Sequence, residues 1–379
     1  QLTLPLLKQS ATATNLVDVN GNTQGSVPIL SFRSKAAFPA KISTGAAKTF
    51  HIWTFTGATT TWSSTLIFTP NEAGGTATYL YDIYAALGNI YVLSRHNSIT
   101  SVINVTVTRS LNLTTWTEGV DMGAAFDGGK LWSFGSTLLA FIYDSSDASI
   151  RVLKSTTNGD SWATSQILYS DYGSGDAAND APRGVATYFD GDGNAAVLLG
   201  LREGVYSLDL TANTNQLLIP LPSHDDNCNR MTVWNSRLYI PTGDGGLMEY
   251  TWTGAEGILR NVANQDDGFP TGKTGVFVQL VATTRWLFGL YGTGTAWTIF
   301  AYDGQGWHFI AKFTSSGFTG NALPTFGISS EDDDKVRLHI RDTATSMKFQ
   351  QYVFDNPGNT GNTLKYEASG ILQLPEFDG

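Results

Sequence analysis

The sequence predicts an all-β chain in which one small unit of four short strands repeats around an axis. Three observations predict it. Short runs rich in Val, Ile, Tyr, Phe and Trp recur along the 379 residues, punctuated by Gly, Asn and Asp. No run of apolar residues at helical spacing extends beyond two turns. The chain also exceeds the roughly 250–300 residues at which a single hydrophobic core stops growing, yet no low-complexity or charged linker divides it. Repetition of a small unit satisfies all three.

Two kinds of strand alternate. The first is short and strongly apolar, as a strand buried on both faces should be. Its examples are His51-Ile-Trp-Thr-Phe55, Ile90-Tyr-Val-Leu-Ser94, Leu138-Leu-Ala-Phe-Ile-Tyr143, Ala195-Ala-Val-Leu-Leu199, Arg237-Leu-Tyr-Ile240, Trp286-Leu-Phe-Gly-Leu290 and Val336-Arg-Leu-His-Ile340. Centred on Trp53, Tyr91, Ala140, Val197, Tyr239, Phe288 and Leu338, these step by 38, 49, 57, 42, 49 and 50 residues. About ten residues after each comes a strand with polar alternation, such as Ile103–Thr108, Ile150–Lys154, Val205–Leu210, Leu247–Trp252, Trp297–Tyr302 and Met347–Phe354. Both series keep one phase.

A period of about 40–50 residues with four strands per unit is the pattern of a β-propeller blade. One four-stranded sheet cannot bury both faces, whereas a ring of them buries each face against a neighbour. Seven centres predict seven four-stranded blades over residues 38–379; a six-bladed ring, with the first unit reduced to a flanking hairpin, is the alternative. An array of β-sandwiches is the competing architecture, and the steady period counts against it. Residues 1–37 read as an N-terminal segment, in which Val27-Pro-Ile-Leu-Ser-Phe32 is available to close the ring as the outer strand of the last blade.

Composition narrows function. Charged residues are only 15% of the chain, against about 25% in ordinary domains, so solubility rests on Ser, Thr, Asn and Gly. Lys and Arg total 23 against 33 Asp and Glu, a formal charge of −10. That opposes a nucleic-acid partner, which needs clustered cations, and an anionic membrane surface. The single cysteine, Cys228, excludes an intramolecular disulfide and any multi-thiolate metal site. No apolar stretch is long enough for a transmembrane helix. The start, Gln1–Lys8, has neither an initiator Met nor the basic and apolar regions of a signal peptide, so the chain is expected to be processed or part of something longer. The sequons at Asn104 and Asn112 are of the kind that arise by chance in a Thr-rich chain.

Catalytic motifs are absent at the level of sequence. There is no Gly-x-Ser-x-Gly elbow, no phosphate loop and no metal spacing among His51, His96, His224, His308 and His339. Two carboxylates placed for glycoside hydrolysis cannot be picked from 33 acidic residues. Asp190-Gly-Asp-Gly-Asn194 opens like a calcium loop, but Ala195 and Leu201 stand where an EF-hand needs Gly and Glu, so it reads as a turn. Glu331-Asp-Asp-Asp334 reads the same way.

The connections from one blade's outer strand to the next blade's inner strand converge on one mouth of the channel, where loops carry binding function. They hold Asp121, Asp127, Asp171, Asp176, Asp180, Asp225, Asp226, Asp266 and Asp267, against Lys130, Arg183, Arg230 and Lys273. From this rim Asp225, Asp226, Arg230, Asp266 and Asp267 are the candidate ligand-binding residues; no catalytic or metal residue is assigned. An acidic rim would concentrate cations and could recruit Ca2+ or a basic partner surface; no other cofactor is expected. The competing reading is that Asp and Gly simply favour turns. Trp252, Trp286 and Trp307 near strand ends are placed either to stack on sugars or to wedge blades together.

Ser155-Thr-Thr-Asn-Gly-Asp-Ser-Trp162 resembles the Asp-box turn of sialidases and other propellers, Ser-x-Asp-x-Gly-x-x-Trp, with Thr157 replacing the aspartate. Ser110–Trp116 and Tyr302–Trp307 are weaker echoes. In that family the box is a folding element, so the resemblance implies fold and not catalysis. The sialidase Arg-Ile-Pro element is not matched by Phe32-Arg-Ser-Lys35. Together with the Lys-poor, Gly/Ser/Thr/Asn-rich composition, Trp234-Asn-Ser-Arg-Leu-Tyr-Ile240 and the closing Ser369–Gly379 resemble propeller modules in structural proteins of tailed bacteriophages. That resemblance implies a non-enzymatic virion protein, a tail or capsid-decoration propeller whose partners are other virion proteins and a host surface glycan. The alternatives are a glycan-active hydrolase and a secreted or cell-surface bacterial lectin.

Overall fold

The apolar strand of each unit forms the middle of a sheet because both of its faces are covered. In the third unit Leu138, Leu139, Ala140, Phe141 and Ile142 are all 0% exposed, so the period-2 alternation of a half-solvated strand is lost. Outer strands invert this, and every residue of Gly257–Asn261 is exposed. The computed structural model describes residues 9–13, 16–17, 27–44, 47–55, 62–69, 79–97, 103–123, 126–169, 180–315, 323–330, 336–341 and 347–354. Within them lie 29 strands.

The strands are numbered in chain order. β1 is Gln9–Ala13. The first sheet holds β2 (Leu16–Val17), β3 (Leu30–Phe32), β4 (Lys35–Thr44), β5 (Ala47–Phe55) and β6 (Ser63–Phe68). The second holds β7 (Tyr79–Ala86), β8 (Asn89–Asn97), β9 (Ile103–Ser110) and β10 (Thr117–Glu118). The third holds β11 (Phe126–Phe134), β12 (Thr137–Asp144), β13 (Ser149–Ser155) and β14 (Ala163–Tyr169). The fourth holds β15 (Gly184–Phe189), β16 (Ala195–Leu201), β17 (Gly204–Asp209) and β18 (Thr214–Pro220). The fifth holds β19 (Thr232–Trp234), β20 (Arg237–Pro241), β21 (Leu247–Trp252) and β22 (Gly257–Asn261). The sixth holds β23 (Val276–Ala282), β24 (Leu287–Thr293), β25 (Ala296–Tyr302) and β26 (Trp307–Thr314). The last holds β27 (Thr325–Ser330), β28 (Val336–Arg341) and β29 (Met347–Phe354), with β1 beside β29.

All pairings are antiparallel, and all join consecutive strands as meanders except β1 with β29 and β2 with β4. The innermost strands β3, β7, β11, β15, β19, β23 and β27 touch in succession, and β27 returns to β3. The result is a β-propeller. Its core is divided between neighbours: apolar clusters join the first and second sheets (Phe38, Ile52, Ile83, Val92), the second and third (Leu93, Val107, Leu131, Ala140), and so on around the ring. At the last interface charge joins in, with Arg341 over the Phe38 ring at 5.3 Å and Arg337 over Phe55 at 5.5 Å.

The expectation of seven equal four-stranded blades needs correction. Six sheets are four-stranded, and the one around the first unit has five strands. The fifth strand is the two-residue β2, which pairs Leu16 with Ile42 and Val17 with Lys41 at the far end of β4, while left-handed φ of 49° and 57° at Arg33 and Ser34 fold β3 back onto its near end. The closing strand also differs from expectation. Gln9–Ala13 pairs with β29, Ser10 opposite Gln350, while Val27 and Ile29 are buried in the core of the first two sheets. A segment with two buried apolar residues gains more inside the ring than on its rim. Ser369–Gly379 and Glu331–Asp334 lie outside the described residues.

Turns between third and fourth strands repeat one device. A side-chain oxygen at the turn's start accepts two backbone N–H groups: Ser110 from Asn112 and Leu113, Ser155 from Thr157 and Gly159, Asp209 from Thr211 and Ala212, Asp303 from Gln305 and Gly306. At the Ser155 turn Thr157 stands where the Asp-box aspartate would, and its hydroxyl bonds Ser161 Oγ at 2.8 Å. Ser155→Ala is expected to cost about 1 kcal/mol, read from urea unfolding midpoints at constant slope.

Candidate binding site at the channel mouth

The channel opens into a cavity of about 290 Å3 lined by residues from all seven sheets, from Pro28–Ser31 round to Ile328. Its charged walls come from positions an apolar pattern does not anticipate. Asp82 interrupts β7 and is 1% exposed; Lys130 interrupts β11 and is 4% exposed. Both follow irregularities in strand pairing, between Leu80 and Asp82 and between Asp127 and Gly129. Such bulges re-aim side chains. Gln279 follows the corresponding irregularity in β23 and takes the Phe326 N–H on Oε1, as Asp82 Oδ2 takes the Leu131 N–H. Each thereby links its sheet to the next.

Arg230 reaches the cavity from the turn before β19 and pairs with Asp82 at 2.8 Å. That turn is seated tightly on the fourth sheet. A Cβ at Gly184 would lie 2.4 Å from the Cys228 carbonyl, and one at Gly200 would lie 2.3 Å from Cys228 Cβ, so both positions need glycine. Asn227 pins the turn by donating to the Arg202 and Pro222 carbonyls and accepting from Gly243 N. Arg183, 1% exposed, precedes β15, and its carbonyl accepts from Arg230 N.

Electrostatics concentrate at Lys130. Burial, then the neighbouring Arg230 and Arg183, push its ammonium down to about 7 against the pull of Asp82. Burial lowers Arg183 to about 10, opposed by Asp226 and Asp225. Beside them the Tyr81 hydroxyl donates to Asp127, which Arg95 also holds at 2.9 Å. Burial and Asp127 push the Tyr81 phenol well above its usual value.

The sign of the Lys130 effect is unfavourable to folding. Between about pH 7 and the ordinary lysine range the unfolded chain binds more protons, so stability from this group rises with pH. Lys130→Met is therefore expected to raise the unfolding free energy by about 1–3 kcal/mol at or below pH 7. The gain should shrink towards alkaline pH, as thermal melts across that range would record.

The candidate rim residues separate into two groups. Asp225 pairs with Arg202 at 3.2 Å, Asp226 accepts from Asn229 at 3.3 Å, and both lie near Arg183, while Arg230 enters the cavity itself. Asp266 and Asp267 are elsewhere. Asp266 is exposed. Asp267 accepts from Arg260 and Asn264, and its carbonyl takes the Trp307 N–H, fastening the fifth sheet to the sixth. Asp121 accepts from Asn104 and Asp180 faces Arg202 at 3.6 Å. Asp171 and Asp176 lie outside the described residues. Among the described residues no three His, Cys, Asp or Glu converge as for a metal. In the Asp190 turn the carboxylate instead accepts from Asp192 and Asn194 N. Trp307 wedges between sheets, its Nε1 donating to the Val262 carbonyl.

Asp82, Tyr81 and Arg95 were not singled out together by sequence. The available signal was a lone Asp within Tyr79-Leu-Tyr-Asp-Ile-Tyr84, a charge in a strand that should be apolar.

No family model and no curated protein matches the chain. Solved structures do. An endosialidase of phage phi92 aligns over 97% of this chain and 72% of its own at TM-score 0.50 and 7% identity. The β-propeller domain of Cps50 from Myceliophteria thermophila aligns over 90% and 98% at 0.53 and 12%. The WD40 domain of Toxoplasma gondii coronin aligns over 94% and 89% at 0.52 and 10%. At these identities the likeness is one of fold alone: the three share a propeller.

Proposed function

We propose that this propeller is a non-enzymatic recognition module, carried on a virion as a tail or decoration component, that binds a host surface glycan at the channel mouth. One observation carries the reading. Four carboxylates around the mouth each face an arginine: Asp82 on Arg230, Asp127 on Arg95, and Asp180 and Asp225 on Arg202, at 2.8 to 3.6 Å. Glycoside hydrolysis needs one carboxyl group free to donate a proton and a second to attack or activate water. Groups held by guanidinium partners serve shape and charge complementarity instead. Display in many copies would multiply weak contacts into useful avidity.

The hydrolase alternative rests on the Tyr81–Asp127 pair, since some glycosidases attack through a Tyr. The upward shift of that phenol opposes it. The test is incubation with polysaccharide from the bacterial surface. Retention on the polysaccharide without release of reducing ends, together with co-purification with intact particles, is the expected result. Release of reducing ends that Asp127→Asn abolishes would establish the hydrolase and overturn the reading.

A further inference from the structure

We propose that the channel cavity receives the carboxylate of an acidic sugar, gripped by Lys130 and Arg230. This rests on the recognition reading and adds the ligand's chemical class. Lys130 lines the cavity and is 4% exposed, and among the described residues its ammonium has no hydrogen-bond or ion-pair partner. A buried cation without a partner is costly, and the cavity is where its complement would fit. The nearest charges are Asp82 from β7 and Arg230 and Arg183 from the turns before β19 and β15. Asp127 lies on its own strand, held by Arg95 and Tyr81.

Two cations, Lys130 and Arg230, thus line the cavity against one carboxylate, Asp82, while Arg183, outside the lining, faces Asp225 and Asp226, in a chain whose formal charge is −10. The asymmetry selects an anion, and the Arg fork suits two oxygens on one carbon. Size selects its carrier. About 290 Å3 is at the small end of ligand pockets, room for one terminal sugar ring and not an extended chain. Trp132 and Tyr84, rings 5.2 Å apart, supply an apolar wall beside Lys130.

A carboxylate beside Lys130 would favour the ammonium, so binding above pH 7 must take up a proton. Affinity should therefore fall as pH rises through 7. The test titrates the intact protein with a glucuronate-terminated oligosaccharide, its carboxyl-reduced counterpart and a sulfated counterpart, below and above pH 7. The acid should bind about tenfold or more tighter than the reduced sugar. Lys130→Met, shown folded by its melting curve, should lose that preference and the pH dependence, and Arg230→Gln should lose the preference.

Equal binding of acid and reduced sugar, or an unchanged Lys130→Met, would overturn this inference and leave glycan recognition standing. A sulfated sugar preferred over the acid would overturn the carboxylate assignment. Failure of every surface glycan to bind would overturn the recognition reading with it.

Discussion

Asp82→Ala is expected to lower the unfolding free energy by about 3–5 kcal/mol, the cost of removing one partner from a buried ion pair. Its carboxylate performs two tasks at 1% exposure. Oδ2 accepts the Leu131 N–H across the second and third sheets, and Oδ1 meets Arg230 from the fifth at 2.8 Å. Ala orphans the N–H and leaves Lys130 and Arg230 in the cavity without their nearest carboxylate. Asp82→Asn keeps an acceptor for Leu131 but not the charge, so it should recover only part of the loss. Urea unfolding of wild type, Asp82→Asn and Asp82→Ala would order the three in that sequence. An Asp82→Ala variant as stable as wild type would show that the carboxylate joins nothing.

Phe269→Ala is expected to cost a similar amount, about 3–5 kcal/mol. Phe269 sits in the connection between the fifth and sixth sheets, and its ring meets Phe277, Tyr291, Phe300 and Trp307 with centroids 5.1–5.6 Å away. Two of these contacts are T-shaped, at 77° and 75°, the geometry that the ring quadrupoles favour. Truncation opens a cavity between two sheets that no neighbouring side chain is free to fill. Phe269→Leu, which retains most of the volume, should restore more than half of the lost stability in thermal melts.

The architecture was legible because its signal is redundant. Tyr91, Ala140, Val197, Tyr239, Phe288 and Leu338 fall in the second strand of their sheets, Trp53 falls in β5 of the five-stranded sheet, and the polar-alternating series falls in the third. Both follow from which faces a propeller strand buries. The N-terminal segment was misread because Val27–Phe32 is apolar whether it lies on a rim or inside the ring, and local pattern does not separate the two. Closure by Gln9–Ala13 had no apolar signature at all.

The site was legible only in part, for a different reason. Turn aspartates such as Asp225 and Asp267 look alike in sequence. The arginines that set them apart differ in origin: Arg202 stands in the turn between β16 and β17, 23 residues before Asp225, and Arg260 in β22, seven residues before Asp267. Asp82 and Lys130 carried a readable sign, charge inside an apolar strand, but their convergence depends on residues 48 positions apart meeting across one channel.

Closure of the ring is tested most directly by joining its ends. Ser10 stands opposite Gln350 on paired antiparallel strands, within the reach of a disulfide. In Ser10→Cys/Gln350→Cys the native Cys228 is 0% exposed and its thiol is pushed up by burial, so it should not compete. The double variant should form an intramolecular disulfide under mild oxidation and unfold at higher urea than its reduced form, by about 2–4 kcal/mol. Two cysteines that stay free, or that link separate chains instead, would contradict a propeller closed by its N-terminal strand.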